Sequence, residues 1–253
     1  MGTVQLSVKL LAHTPQPEEL AALAGRRCYS GLSNDELIGF SAEREPAEFI
    51  NKLVGMGHVT PIEHAAFTFA VEGVSRSLLA QITRHRIASF SVQSQRYVAE
   101  TAARSENGVF DYVVPPRIAE LGPDKAAEFA GQMRRIQEWY DYWVRELGGG
   151  KDALEDARFV LPNAAETKFV VTMNARELLH FFTLRCCERA QWEIRALADE
   201  MLRLVRAVAP TFFGQAGPAC LRGPCPEGEK NCGRMKEVRQ KYRSLCQPQA
   251  APK

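Results

Sequence analysis

Strand-type and helix-type segments alternate along this sequence. Alternation of apolar and polar residues, or enrichment in β-branched and aromatic residues, predicts strands at 4–11, 65–74, 109–114 and 168–173. Helical spacing of apolar residues predicts helices at 17–26, 46–56, 75–86, 125–147, 152–161 and 174–208, the last with a break at 185–188. A less regular stretch occupies 87–96. These segments predict an α+β fold, in which the direction of strand pairing stays open at this point.

The composition changes once along the 253 residues, at residue 214. Residues 214–233 are rich in Gly, Pro and Cys, and the residues that follow are basic, with helical character to 245. No internal repeat and no interdomain linker is evident. We therefore predict one domain, with its body at 1–213 and a tail at 214–253 that belongs to the same domain and ends in disordered residues 247–253.

Charge and composition exclude several classes of protein. The formal net charge of +2 gives no long-range attraction to nucleic acid or to an anionic membrane. No apolar run approaches the roughly 20 residues that span a bilayer, and the N-terminus lacks the pattern of a signal peptide. The seven cysteines are odd in number and do not form a disulfide framework. We expect a cytoplasmic protein that binds neither nucleic acid nor a membrane.

Three of the cysteines, Cys220, Cys225 and Cys232, lie in the Gly/Pro-rich tail. Zinc in structural sites normally has four tetrahedral ligands, and Cys246 is the one further cysteine of the tail. The other interpretation is a structured tail with small buried thiols. We favour the second interpretation and predict no metal ligands, while zinc remains the alternative.

Residues 84–97 combine three arginines, one histidine and three serines. The planar guanidinium fork of arginine suits phosphate oxygens, and serine hydroxyls add short-range donors. This segment therefore predicts a site for phosphorylated small molecules. The alternative is a solvated basic face at the end of a helix, where cations favour the helix dipole.

Two further clusters carry polar side chains at places that suit a binding site. The first is the turn at 58–64, between a predicted helix and a predicted strand. The second comprises Arg158, Asn174, Arg176, His180, Arg185 and Gln191. Arg185 lies among apolar residues, and because a buried arginine without a partner is costly, a ligand or a carboxylate should meet it.

The three clusters together resemble the flavin-dependent thymidylate synthase (thymidylate synthase complementing protein) family over about 26–211. The family signature is Arg-His-Arg, seven residues, then Ser, and the chain has Arg84-His85-Arg86 followed by Ser94-Gln95-Arg96. The upstream element of the family matches His58, Thr60, Pro61, Glu63 and His64. The downstream elements match Asn174-Ala175-Arg176 and 190–194.

The resemblance implies a single α+β domain with a mainly antiparallel sheet flanked by long helices. It also implies reductive methylation of dUMP to dTMP, with methylenetetrahydrofolate as carbon donor and FAD, reduced by NADPH, as hydride source. No cysteine nucleophile is required. The family further implies a homotetramer in which several subunits build each active site.

The resemblance also implies roles for individual residues. FAD contacts are expected at Thr60, Glu63, Arg84, His85, Arg86, Ile87, Ser91, Asn174, Arg176 and His180. dUMP contacts are expected at Gln81, Val92, Gln93, Ser94, Gln95, Arg96, Arg158 and Arg185. Catalytic roles fall to Arg185, which should stabilise negative charge on the uracil ring, to His58 in the folate step and to Ser94.

The chain departs from the family pattern at a few positions. Val92 stands where many members have Glu or Gln, and His180 stands where some have Asn. Cys28 and Arg189 replace Ser and His of other members. The alternative functions are another nucleotide-binding flavoenzyme and a non-catalytic RNA-binding module.

Overall fold

The computed structural model describes residues 2–244. Cys246 and the predicted disordered end at 247–253 lie outside the described residues. The sheet has four antiparallel strands in the order β1-β2-β4-β3. The strands are β1 (Ser7–His13), β2 (Ala66–Ser75), β3 (Ala88–Val92) and β4 (Glu166–Asn174). This arrangement confirms the predicted α+β fold class.

Helices occupy most of the chain between the strands. The first seven are α1 (Pro17–Arg27), α2 (Asn34–Ala42), α3 (Pro46–Gly55), α4 (Arg76–Ile82), α5 (Pro116–Ala119), α6 (Pro123–Glu146) and α7 (Gly150–Ala157). The others are α8 (Ala175–Arg185), α9 (Trp192–Val208), α10 (Pro210–Phe213) and α11 (Met235–Ser244). No helix within residues 2–244 has both the length and the apolar character needed to cross a membrane.

The predicted strand at 109–114 is wrong. Only isolated β-bridges form here, at Tyr112 with Thr3 and Ala165. The N–H of Phe110 donates to the buried side-chain oxygen of Gln137 at 2.7 Å, so a side chain replaces a neighbouring strand. The aromatic residues that suggested a strand serve a hydrophobic core instead.

Two short elements, strand β3 and helix α2, were not predicted from the sequence. Strand β3 occupies part of the stretch predicted to be irregular, and Gln93 N–H, just after it, donates to the carbonyl of Lys168 at 2.9 Å. Helix α2 begins with a capping box, in which Ser33 and Glu36 exchange side-chain-to-backbone hydrogen bonds. Its single buried residue, Leu37, gives no helical stripe to detect.

The chain forms two compact units. The first comprises the residues up to Ser7, Val71–Arg84 and Phe90–Val170, and the second comprises Val8–Ala70, His85–Ser89 and the chain from Val171 onward. The core of the first unit contains Val109, Phe110, Tyr112, Met133 and Ala165. The division of the chain into 1–213 and a tail remains a prediction.

The core of the second unit is aromatic at its centre. The Phe213 ring packs edge-on against Phe67, Phe182 and Phe212. Helix α9 adds a fully buried apolar stripe that includes Ile194, Leu197, Met201 and Val205. This stripe gives α8, the neighbouring helix that carries several predicted site residues, a fixed support.

Candidate active site

Helix α8 starts at a capped residue that orients its first turn. The side-chain oxygen of Asn174 accepts the N–H of Glu177 at 2.9 Å, as the sequence predicts for an N-cap. Arg176, in the first turn, donates to the Glu63 carboxylate at 2.5 Å, and both side chains are partly exposed. This ion pair joins the 58–64 turn to α8, so two of the three predicted clusters meet.

A buried hydrogen-bond chain connects the signature histidine to Arg185. His85 Nδ1 lies 2.9 Å from the Glu177 carboxylate, and Arg185 Nε donates to His85 Nε2 at 3.1 Å. His85 is 6% exposed and Glu177 is 7% exposed, so solvent does not compete for these contacts. This chain of hydrogen bonds holds the guanidinium of Arg185 at its Nε atom.

The geometry selects the neutral form of His85. Because Nε2 accepts from Arg185, the single ring proton is on Nδ1, where Glu177 accepts it. Burial lowers the pKa of His85; the Glu177 hydrogen bond opposes this effect, while the positive charge of Arg185 adds to it. The imidazole is therefore an uncharged link between an anion and a cation.

Glu177 is a site residue that sequence reasoning missed. Its spacing from Asn174 suggested a capping box, in which the Glu side chain would return to the cap. In the structure the Glu177 carboxylate forms a hydrogen bond with His85 instead. The signal in the sequence is that Glu177 is the single acidic residue of α8, four residues before the apolar pair Phe181 and Phe182.

Three predicted flavin contacts of the second unit are exposed around this network. The Arg86 and His180 side chains face solvent, and the Ile87 side chain is 68% exposed. The ring centroids of His180 and His85 lie 6.0 Å apart. Arg84, which ends the Val71–Arg84 segment of the first unit, is also exposed.

The 58–64 turn carries two further predicted residues. His58 Nδ1 lies 3.2 Å from the hydroxyl of Tyr29, and both side chains are exposed. Thr60 is the first residue of the 3-10 turn Thr60–His64, which packs against α1 and α8. Sequence reasoning did not include Tyr29 among the site residues. The structure shows that its hydroxyl is the hydrogen-bond partner of His58.

In the first unit, Ser94, Gln95, Arg96 and Arg158 form a second group of predicted residues. The Arg96 guanidinium forms a 2.6 Å ion pair with Glu155, whose carbonyl accepts Nε–H of Arg158 at 3.0 Å. The hydroxyl oxygen of Ser94 accepts the N–H of Arg96 at 3.3 Å. Gln95 Nε2 and Arg96 Nε are buried donors without an acceptor among the described residues.

Arg76 extends this group and was also missed by sequence reasoning. Burial, and then the positive charge of Arg158, lowers the pKa of Arg76. Its guanidinium donates to the Thr167 hydroxyl at 3.5 Å. Two guanidinium groups in one neighbourhood, together with unsatisfied buried donors, have the chemistry that could hold an anion.

The remaining predicted residues lie on β3, directly after it and on α4. Ser91 is exposed, Val92 is half-buried, and Gln93 uses its backbone in the sheet. Gln81 Nε2 donates to the Ser77 carbonyl of its own helix at 3.4 Å. Hydrogen bonds among the described residues do not join these four side chains to the Arg96 group.

Comparison with known proteins identifies relatives over nearly the whole chain. The flavin-dependent thymidylate synthase of Geobacter sulfurreducens is 50% identical over 240 residues, covering 95% of this chain and 99% of that protein. The protein of the same name from Nitratidesulfovibrio vulgaris is 52% identical over 245 residues, covering 92% and 97%.

Solved structures share the fold at lower identity. The flavin-dependent thymidylate synthase of Helicobacter pylori, complexed with FAD and dUMP, matches 83% of this chain and 99% of its own at 22% identity and a TM-score of 0.62. A UMP/dUMP methylase from Streptomyces cacaoi, bound with 5-Br dUMP, covers 83% and 94% at 23% identity and a TM-score of 0.65. The family model described as thymidylate synthase complementing protein matches residues 9–211. The chain therefore belongs to the thymidylate synthase complementing protein family.

Proposed function

We propose that this chain is a flavin-dependent thymidylate synthase that methylates C5 of dUMP to give dTMP. FAD is its bound cofactor, methylenetetrahydrofolate is the carbon donor and NADPH is the reductant. Family membership over residues 9–211 supports the reaction. The observation that carries the assignment of the site is the buried chain from Glu177 through His85 to Arg185, because it holds one cation in a fixed orientation.

The residues of the second unit fit FAD in their chemistry. Exposed Arg86 and Arg176 are cations that suit its diphosphate, and exposed Ile87 offers an apolar surface to a flat ring. His180 adds a polar group beside His85. Bound FAD supplies the hydride and redox chemistry that amino-acid side chains lack.

The Arg96 group fits the nucleotide. The unsatisfied donors of Gln95 and Arg96, with the guanidinium of Arg158, supply hydrogen bonds that phosphate and uracil oxygens accept. Arg76 adds positive charge next to Arg158. These side chains bind and orient dUMP before any bond changes.

Arg185 has the catalytic role. C5 of uracil attacks an electrophilic carbon, so the ring must first become enolate-like, with negative charge on its carbonyl oxygens, and a prealigned guanidinium stabilises that charge. His85 and Glu177 act as positioning residues, since they hold Arg185 through its Nε. His58 serves the folate step, with Tyr29 as its hydrogen-bond partner.

The state of Cys186 supports a mechanism in which this thiol is not a nucleophile. Cys186 directly follows Arg185 in the sequence but is fully buried. Burial raises the pKa of its thiol far above the ordinary range, so the reactive thiolate does not form at neutral pH. This is the behaviour of a core residue.

Tritium release from 5-tritiated dUMP tests the proposal. Release should require FAD, NADPH and methylenetetrahydrofolate, and Arg185→Ala should abolish it. Arg203→Ala, which removes an exposed guanidinium paired with Glu200 on α9, is the matched control and should retain activity. Release without FAD, or full activity in Arg185→Ala, would overturn the proposal. 5-Tritiated UMP, assayed in parallel, tests whether the acceptor is a ribonucleotide.

We further propose a homotetramer with shared active sites. Support comes from the family and from the two groups of site residues, which lie in different units of the chain. Co-expression of Arg96→Ala and Arg185→Ala chains with different tags should then restore part of the activity, because some sites receive both intact residues. Co-expression of Arg185→Ala with Arg185→Met provides the control. No restoration in the first pair would contradict shared sites.

A further inference from the structure

Four cysteines of the second unit converge on one cavity. Its volume is about 370 Å³, and its lining includes Cys187, Cys220, Cys225 and Cys232. Cys187 follows the end of α8, and the other three belong to the Gly/Pro-rich tail. Cys187, which lies 33 residues before Cys220 in the sequence, thus shares this cavity with the three tail cysteines.

The backbone around this cavity is held by hydrogen bonds that leave the thiols unused. Arg239 Nε and Nη2 donate to the carbonyls of Cys220 and Gly223, both at 2.8 Å. The Tyr242 hydroxyl donates to the carbonyl of Cys186 at 2.9 Å. Helix α11 therefore fixes the start of the tail and the end of α8 beside each other.

Ion pairs also join the two segments that line the cavity. Arg234 donates to Glu188 at 2.9 Å, and Arg189 pairs with Glu227. Both pairs link the segment after α8 to the tail. The cavity wall is thus assembled from these two segments of the second unit, and each contributes at least one cysteine.

The chemistry of four neighbouring thiols favours a soft cation. All four are free cysteines in the structure, so no disulfide uses them. The four side chains line one cavity. Thiolates brought together there would repel one another, and a divalent cation removes that repulsion. The four-residue spacing between Cys220 and Cys225 lies within the range of zinc ligand pairs.

We propose that Cys187, Cys220, Cys225 and Cys232 form a four-thiolate site for Zn²⁺. Within residues 2–244 no group of three or more His, Cys, Asp or Glu side chains is arranged so that it could hold a metal ion. Binding therefore includes closure of the sulfurs around the ion. Cys187, Cys225 and Cys232 are half-buried, and in this proposal their sulfurs move toward the buried Cys220.

The site would tie the tail to the end of α8. Cys187 lies two residues after Arg185, and Arg185 itself lines the same cavity. A tetrahedral cross-link at Cys187 restricts the last turn of the helix that carries this arginine. The metal thus has a structural role beside the proposed active site and takes no part in the chemistry.

Elemental analysis of the purified full-length protein tests the site independently of its activity. We expect about one zinc ion per chain, retained through gel filtration and released by a strong chelator. Cys187→Ser and Cys225→Ser should each lose the zinc. Cys28→Ser is the matched control, since Cys28 is exposed and outside the cavity, and it should retain zinc at the wild-type level.

Thiol titration of the native protein supplies the second measurement. Zinc should protect the four cavity thiols from a thiol reagent, and chelation should expose them without unfolding, as followed by circular dichroism. Absence of zinc from the wild-type protein, iron with acid-labile sulfide in its place, or disulfides among these cysteines would overturn the proposal. Zinc retained in Cys187→Ser would remove Cys187 from the site. These results do not depend on thymidylate synthase activity.

Discussion

Replacement of Glu177 tests the hydrogen-bond chain behind Arg185. Glu177→Ala removes the acceptor of a 2.9 Å hydrogen bond between two buried groups and leaves the Nδ1–H of His85 without a partner. An unsatisfied buried donor costs about 1–3 kcal/mol. We therefore expect the free energy of unfolding, measured by urea titration, to fall by about that amount. Glu177→Gln keeps an acceptor oxygen and should lose less.

The effect on catalysis follows from the ring proton of His85. Without Glu177 the proton is free to move to Nε2, where it would face the Nε–H of Arg185. Arg185 would then lose its alignment, and a misplacement on the order of 1 Å can cost about 100-fold in rate. We expect kcat for tritium release to fall about 10- to 100-fold in Glu177→Ala, with KM for dUMP little changed.

The pH dependence of the free energy of unfolding tests whether Glu177 acts on the protonation of His85 or only packs against it. Because the folded-state pKa of His85 is lowered, the unfolded chain binds more protons, so stability is lost as pH falls below the ordinary histidine value of about 6.5. Glu177 raises this pKa, so Glu177→Gln should lower it further and make the acid loss larger.

The control for these variants is Glu200→Gln, which changes a partly exposed carboxylate paired with Arg203 on α9. It should leave activity unchanged and shift the unfolding free energy by less than about 0.5 kcal/mol. The reasoning is refuted if Glu177→Ala keeps the wild-type kcat, or if Glu177→Gln loses as much activity as Glu177→Ala.

Three further substitutions probe the first unit. Arg96→Ala should raise KM for dUMP about 10- to 100-fold, as expected for a lost charge-assisted hydrogen bond of about 1.5–3 kcal/mol, with FAD affinity in a fluorescence titration unchanged. Gly73→Ala should lower the free energy of unfolding in a urea titration by more than about 1 kcal/mol, since the new Cβ would lie 1.8 Å from the Gln5 carbonyl oxygen at a φ of 72°; an unchanged free energy contradicts this. Gln137→Leu should cost about 1–3 kcal/mol by leaving the Phe110 N–H unsatisfied, and Gln137→Glu should not restore stability, because its buried carboxylate would face the carboxylate of Asp141.

Local signals in the sequence predicted what depends on neighbours along the chain. The N-cap at Asn174 was predicted because capping acts over three residues, and the structure shows the hydrogen bond. The long helix α6 was predicted within two residues at its start because its apolar stripe repeats at helical spacing. The family signatures then grouped distant segments that periodicity alone left separate.

Contacts between distant segments could not be predicted in this way. His85 and Glu177 are 92 residues apart, and nothing local to either one identifies the other. The same limit explains the error at 109–114, where the Gln137 side chain replaces a strand partner. Cys187 likewise falls outside the tail pattern, although it lines the same cavity as the tail cysteines.

The protonation pattern of His85 joins the fold to the chemistry proposed for Arg185. A protonated imidazole would have donors at both nitrogens, and its Nε2–H would oppose the Nε–H of Arg185. Burial makes that state costly, so the fold itself keeps the ring neutral. Glu177 then decides which nitrogen holds the single proton. A guanidinium alone could rotate away from a developing oxyanion, whereas a guanidinium held at Nε by a neutral ring keeps one orientation. The buried acid, which touches no substrate in this scheme, therefore sets the direction of the catalytic cation.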